Sequence, residues 1–123
     1  LRFDRTRRLE VVLAGVKTTN DCDVQVDYTP WNLEGVTAIP ATTQTVTNGA
    51  TDVVALAAPS ANSQLNEIDK IFFYNRDTAN VTVTIKSDVA AGGGTEYIYF
   101  KGTIATLKTL CWTKETGFYV TTA

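Results

Sequence analysis

The stretch that most constrains the fold is 66–86, NEIDKIFFYNRDTANVTVTIK. β-Branched and aromatic residues dominate it and its apolar period is two, the pattern of strands and not of a helix. Successive side chains of a strand point to opposite faces. The first half therefore sets Ile68, Phe72 and Tyr74 on one side and Ile71 and Phe73 on the other. That is the signature of a strand covered on both faces, with Asp69 and Lys70 near its more exposed beginning. The second half alternates cleanly, Val81, Val83 and Ile85 against Thr82, Thr84 and Lys86, one dry face and one wet. Between the halves, Asn75, Arg76, Asp77, Thr78, Ala79 and Asn80 supply side chains that bond local backbone and stabilise turns. The whole predicts a β-hairpin with a loop of about four or five residues and a purely structural tip.

Further strands flank it. Leu9 to Lys17 is an apolar run of strand length, followed by a turn at Thr18–Asp21. From Cys22 to Tyr28, Cys22, Val24, Val26 and Tyr28 alternate with Asp23, Gln25 and Asp27, a half-buried strand that Pro30 is expected to end. A short strand is expected over 35–39. Thr42–Thr47 and Thr51–Ala58 flank Asn48-Gly49, a turn pair that tolerates positive φ, and predict a second hairpin. The small polar run 57–64 reads as a loop between hairpins. Glu96–Phe100, Ile104–Thr113 and Phe118–Thr121 read as the closing strands, with Thr116-Gly117 as a turn. About nine or ten short strands with frequent turns and no helix predict an all-β, antiparallel β-sandwich, of which a jelly roll is one form, with a closed barrel as the alternative. A chain of 123 residues suits one domain, here 9–123, that buries roughly two-thirds of its unfolded surface.

Residues 1–8 hold Arg2, Arg5, Arg7 and Arg8 against one acid, Asp4, without a clean period. They read as an extended basic arm suited to an acidic neighbouring subunit, with a solvated terminus as the plain alternative. Nucleic acid is not the expected partner, because a net charge of −2 lacks the basic surface such binding needs. No apolar run approaches the roughly 20 residues of a membrane helix. The opening residues also lack the apolar segment of a signal peptide. Since Leu1 is not methionine, a processed or partial chain is expected.

The residue types argue against catalysis. Histidine, the usual general base and the commonest catalytic zinc ligand, is absent. Ser60, Ser63 and Ser87 lie in or beside polar loops. Asp52, Glu67, Asp69, Asp77, Asp88, Glu96 and Glu115 are scattered, whereas glycoside hydrolysis needs a facing pair. No enzyme, cofactor or metal is therefore expected. Asp21, Asp23 and Asp27 share a strand face and offer oxygen ligands for calcium. Residues two apart on a strand are roughly 7 Å apart, however, and no glycine-punctuated loop accompanies them, so they read as a solvated acidic face. Gly92, Gly93 and Gly94 precede a strand and not the helix that a phosphate loop requires. They read as a mobile hairpin tip available for contact. Trp31, Tyr97 and Tyr99 are candidates for stacking on a sugar ring, the plainer role of Trp31 being a core plug. Cys22 and Cys111 read as two buried free thiols, with a disulfide as the alternative.

Thr18-Thr19-Asn20, the run QTVTNGATDVVALAAP over 44–59 and KIFFYNRDTANVTVTI over 70–85 form a combination. Together they resemble small β-rich proteins encoded among the virion structural genes of tailed bacteriophages, over about residues 9–120. The resemblance implies a virion-surface component, a capsid decoration or cement protein, or a small tail or fibre subunit. It implies the major capsid protein or tail proteins as partners and a homo-oligomer, with a trimer favoured. It carries over no catalytic residue. Gly92–Gly94 depart from the charged turn and short apolar strand that such chains often have there. A subunit that repeats over a lattice multiplies weak contacts by effective concentration, and those contacts cover sheet edges that would otherwise pair freely. A carbohydrate-binding adsorption module is the alternative.

Overall fold

In a computed structural model, described for residues 1–33, 37–61 and 63–121, the chain forms two antiparallel sheets packed face to face. The strands are β1 (Arg2–Phe3), β2 (Arg7–Leu13), β3 (Asp23–Asn32), β4 (Thr37–Ala38), β5 (Ala41–Val46), β6 (Val53–Leu56), β7 (Gln64–Tyr74), β8 (Val81–Val89), β9 (Tyr97–Ile104), β10 (Thr109–Thr113) and β11 (Gly117–Thr121). The larger sheet runs β11-β10-β7-β3, with β4 and β5 both on the far side of β3 and β1 on β7. The smaller runs β6-β2-β8-β9. The expected all-β sandwich is thus the fold, although the strand order does not by itself establish a jelly roll. Among the described residues no helix is long and apolar enough to cross a membrane. The alternations translate directly into packing: Leu9, Val11, Leu13, Val83 and Ile85 of the smaller sheet face Val24, Val26, Ile71, Phe73 and Leu110 of the larger, all buried. Each such side chain contributes about 1.5–3 kcal/mol of burial.

The organising stretch is not a hairpin. β7 pairs with β3 and β10 while β8 pairs with β2 and β9, so 75–80 arches from one sheet to the other. Both strands carry an apolar face, and the arch sets those faces against each other across the core where a hairpin would set them side by side. Buried Asn75 holds the arch: its Nδ2 donates to Ala79 O at 3.0 Å and Ile104 O at 2.9 Å, and its Oδ1 accepts from the Asp77 N–H at 2.9 Å. The second expected hairpin is likewise a crossover. β5 pairs with β3 and β6 with β2, only the bridge Asn48↔Thr51 closing the turn, where Gly49 takes φ +53°.

Two smaller departures share a cause in register. A bulge sets Asp27 opposite Lys70 but Tyr28 opposite Ile68, so Asp69 is the extra residue of β7. Ile68 therefore points inward with Ile71 and Phe73, and not outward with Phe72 and Tyr74 as strict alternation predicts. Pro30 does not end β3. It is registered with Asn66 on β7 alone, in the gap between β5 and β4, where no ladder donor is required on the other side. Of the strand expected over 35–39, Thr37–Ala38 is β4, and residues 35 and 36 lie outside the described residues. The expected Ile104–Thr113 strand is the end of β9, a turn with Leu107 at φ +61°, and β10.

Candidate functional site

The expected basic arm is folded into both sheets. Arg2 and Phe3 pair with Glu67 and Asn66 of β7, and Arg7 and Arg8 already belong to β2, opposite Val89 and Asp88. Phe3 explains the difference, because an apolar ring among the arginines gains more by burial in the core, against Tyr99, than in solvent. The arginines follow. Arg2 Nε donates to Glu67 Oε2 at 2.9 Å, and Lys114 Nζ bonds the other oxygen at 2.9 Å. Arg7 donates to Thr95 O at 2.8 Å and to Ser87 O and Oγ at 3.0 and 2.8 Å, its guanidinium 4.6 Å from the Tyr97 ring centre. Arg8 Nε and Nη2 lie 2.7 and 2.5 Å from Glu10 Oε2, and Nη1 donates to Ala90 O at 3.4 Å. Arg5, exposed in the turn before β2, makes no such bond among the described residues.

The arm thereby meets the other expected contact element, the glycine loop. That loop is tied down. Asp88, buried, accepts the Gly93 and Gly94 N–H groups at 2.9 and 3.1 Å through its two oxygens, and the Val89 N–H at 2.7 Å. Burial works against its charge, but these three donors and Arg8 hold its carboxyl below the ordinary carboxylate range. Gly92 and Gly93 take φ +78° and +76°, and a Cβ at Gly92 would stand 2.5 Å from Arg8 Nη2. Asp88 therefore satisfies the glycines while Arg7 and Arg8 hold the loop's flanking carbonyls at Thr95 and Ala90, and Asp88, four residues ahead of the triplet, was the readable signal.

Asp77 does the same for the arch. It accepts the N–H groups of Thr18, Thr19, Asn20 and Thr78 at 2.7 to 3.1 Å, the Thr18 bond leading the causes that lower its carboxyl to about 2. The structural tip expected there is thus a clamp joining the 18–20 turn to 75–78. Asp21, Asp23 and Asp27 do not assemble a cation site. Asp21 bonds Lys17 and accepts from Gly49 and Thr47, Asp23 lies 3.5 Å from Arg76, and Asp27 accepts from Gln25 and Thr42. Glu10, Asp52 and Glu96 do approach, with carboxylate oxygens within 4.8 Å of one another. Lys86 already serves that cluster, 3.1 Å from Asp52 and 2.6 Å from Glu96. Cys22 and Cys111 are both free and buried, and burial pushes the Cys22 thiol up to about 11.

The three aromatic residues singled out for sugar stacking do not form one site. Trp31, 37 % exposed and so no core plug, sits on β3 beside Ile39, Pro59 and Asn66. Tyr97 and Tyr99 are on β9 in the other sheet. Tyr97 is occupied by Arg7, and the Tyr99 hydroxyl donates to Ser87 Oγ at 3.0 Å. Two surfaces escaped the sequence reading. One is the lateral seam where edge strands β9 and β11 come together, Phe100 and Phe118 touching across it with ring centres 5.0 Å apart. Tyr97, Ile98 and Val120 remain 58, 60 and 51 % exposed around it. The other is a shallow depression of about 620 Å³ on the outer face of the larger sheet, lined by residues of β3, β5 and β7. Its clue was already in β7, whose Phe72 and Tyr74 point away from the core. Comparison of the chain with protein-family models, with curated proteins and with solved structures finds no match.

Proposed function

We propose that the protein is a non-enzymatic structural subunit of a tailed-phage virion, binding the capsid surface as a decoration or cement protein through protein–protein contacts. The observation that carries this reading is the seam of edge strands β9 and β11. Each is the last strand of its sheet, so two rows of backbone N–H and C=O groups end side by side, flanked by exposed Tyr97, Ile98 and Val120. Edge strands with apolar side chains invite pairing, and a protein built to assemble uses that pairing where a monomer blocks it. The opposite flank, with β6 at the end of its sheet and β4 and β5 at the end of the other, is a different surface. A contact between unlike flanks is head-to-tail, and it closes into a ring when the rotation permits. A trimer is the smallest such ring beyond a pair. The arm's part in reaching the major capsid protein or a tail protein narrows to Arg5 and to Arg2, whose side chain is 72 % exposed.

Imaging of intact particles tests the reading, together with sedimentation of the purified chain. The expected result is density for this chain on the capsid exterior, a homotrimer in solution, and loss of both on Ile98→Lys with Val120→Lys. Density on the tail would move the subunit to a tail or fibre role. No density on either, or full occupancy by the charged variant, would overturn the proposal.

A further inference from the structure

The outer face of the larger sheet carries a pattern that neither folding nor the β9–β11 seam uses. The strand registers place Tyr119, Cys111, Phe72, Gln25 and Gln44 opposite one another in a single row across β11, β10, β7, β3 and β5. The next row holds Thr109, Tyr74, Asp23 and Val46. Directly opposed residues share a face, and this face is the one turned away from the core. At about 4.8 Å between strands, the first row spans roughly 19 Å. One end is aromatic, with Tyr119 42 % exposed over Cys111 and with Phe72 and Tyr74 half-buried. The other end is amide and carboxylate.

The polar end is ordered in advance. Gln44 Nε2 donates to Gln25 Oε1 at 3.2 Å, Gln25 Nε2 donates to Asp27 Oδ1 at 3.1 Å, and the Thr42 hydroxyl donates to that same oxygen at 3.0 Å. Each amide nitrogen carries two N–H donors and a carbonyl two lone pairs, so the chain of bonds fixes both amides while leaving capacity for more. Between the two ends lies the depression of about 620 Å³, lined by Asp23, Gln25, Gln44, Val46, Phe72 and Tyr74 among others.

We infer that this face is a binding platform for a neutral oligosaccharide. Pyranose rings present apolar C–H faces and a rim of hydroxyls, and the platform offers aromatic faces beside fixed amides and carboxylates. Rigid aromatic rings supply contact area at little entropic cost, and prepositioned amides lower the cost of ordering the site. The charge selects among glycans. Asp23, 3.5 Å from Arg76, and Asp27, registered opposite Lys70, border the amides, so the charges there are balanced and no surplus cation is offered to a sialylated or sulfated chain. A second protein is the poorer occupant, because covering Gln25 and Gln44 with apolar side chains would strand their remaining donors and acceptors. This inference is independent of the virion assignment, since it uses neither the β9–β11 seam nor the arm.

The test is calorimetric titration of the full chain with neutral gluco-, galacto-, manno- and N-acetylglucosamine oligosaccharides, with a sialylated oligosaccharide as control. At least one neutral series is expected to bind and the sialylated one not to. Tyr119→Ala and Gln44→Ala, both at exposed positions, should each weaken binding roughly tenfold, about 1.4 kcal/mol. Trp31→Ala, at the far end of β3, should leave binding unchanged. No binding by the folded chain to any of these sugars, or binding indifferent to Tyr119 and Gln44, would overturn the inference. So would a Gln44→Ala protein that merely dissolves an oligomer, which would make this face an interface between copies.

Discussion

Replacing Asn75 with alanine should destabilise the protein out of proportion to the few atoms removed. Asn75 is fully buried, and its removal takes from the Asp77 N–H the acceptor it has here, while Ile104 O, registered with Val81 in the β8–β9 ladder, loses one of its donors. A buried polar group left without a partner costs about 1–3 kcal/mol. One such group, with smaller losses at Ile104 O and at half-buried Ala79 O, brings the expected cost to about 2–4 kcal/mol. Against a total of about 5–15 kcal/mol for a domain this size, that is a large share. The assay is urea unfolding followed by tryptophan fluorescence and circular dichroism, read as a lower midpoint at unchanged slope. Asn75→Asp sharpens the result. It keeps the acceptor for the Asp77 N–H but loses both donors and adds a charge beside Asp77, so it should also destabilise at neutral pH. Asn80→Ala, which removes only an exposed 3.3 Å acceptor for the Thr106 N–H, should stay within about 0.5 kcal/mol. If Asn75→Ala cost less than about 1 kcal/mol, the arch would not depend on this amide.

Other expectations follow from the same contacts. Gly93→Ala, at φ +76° with open space around it, should cost about 1–2 kcal/mol of backbone strain. Gly92→Ala should cost more in thermal melts, because its methyl also displaces Arg8 from Glu10; equal losses would show that Arg8 does not hold the loop. Asp77 titrates at about 2 in the folded chain against an ordinary 3.8. Its contribution is therefore complete above pH 3.8, falls away as the pH drops towards 2, and should disappear from the acid-unfolding profile of Asp77→Asn. A profile unchanged by that substitution would contradict the clamp. Cys22 and Cys111 should resist a thiol reagent at pH 8 until denaturant is added, then release two equivalents; rapid labelling of the native chain would mean that Cys22 is not sealed in the core.

Period-two patterning identified the faces of β3 and of Val81–Ile85 in β8 correctly, because alternation records which side of a strand is dry; Lys86, expected on the wet side, is buried between Asp52 and Glu96. Alternation carries no information about which strand lies alongside. A hairpin and an arch present the same local sequence, and Asn75 reads as an ordinary turn residue until Ile104, far along the chain, turns out to be its partner. The Asp69 bulge is equally silent, since it is defined only by the partner strand. Arg2, Arg7 and Arg8 were misread through their charge, although Phe3 among them was an apolar signal. The sugar platform needed registers running from Asp23 to Tyr119. Only Phe72 and Tyr74, apolar on the wrong side of a half-wet sheet, hinted at it.

The path of the first thirteen residues through both sheets also sets the order in which the protein can be made. β2 ends at Leu13, yet its longest partner, β8, begins only at Val81. At about 5–20 residues per second, the apolar run Leu9–Leu13 must wait several seconds for that partner. Until β6 follows at Val53 to pair with one of its edges, it is a strand-forming segment open to other chains on both sides, and the edge meant for β8 stays open longer. Arg7 and Arg8 immediately precede it, and charges flanking such a run discourage association. The two arginines that pin the glycine loop in the finished fold thus first act as guards on a strand that is still alone.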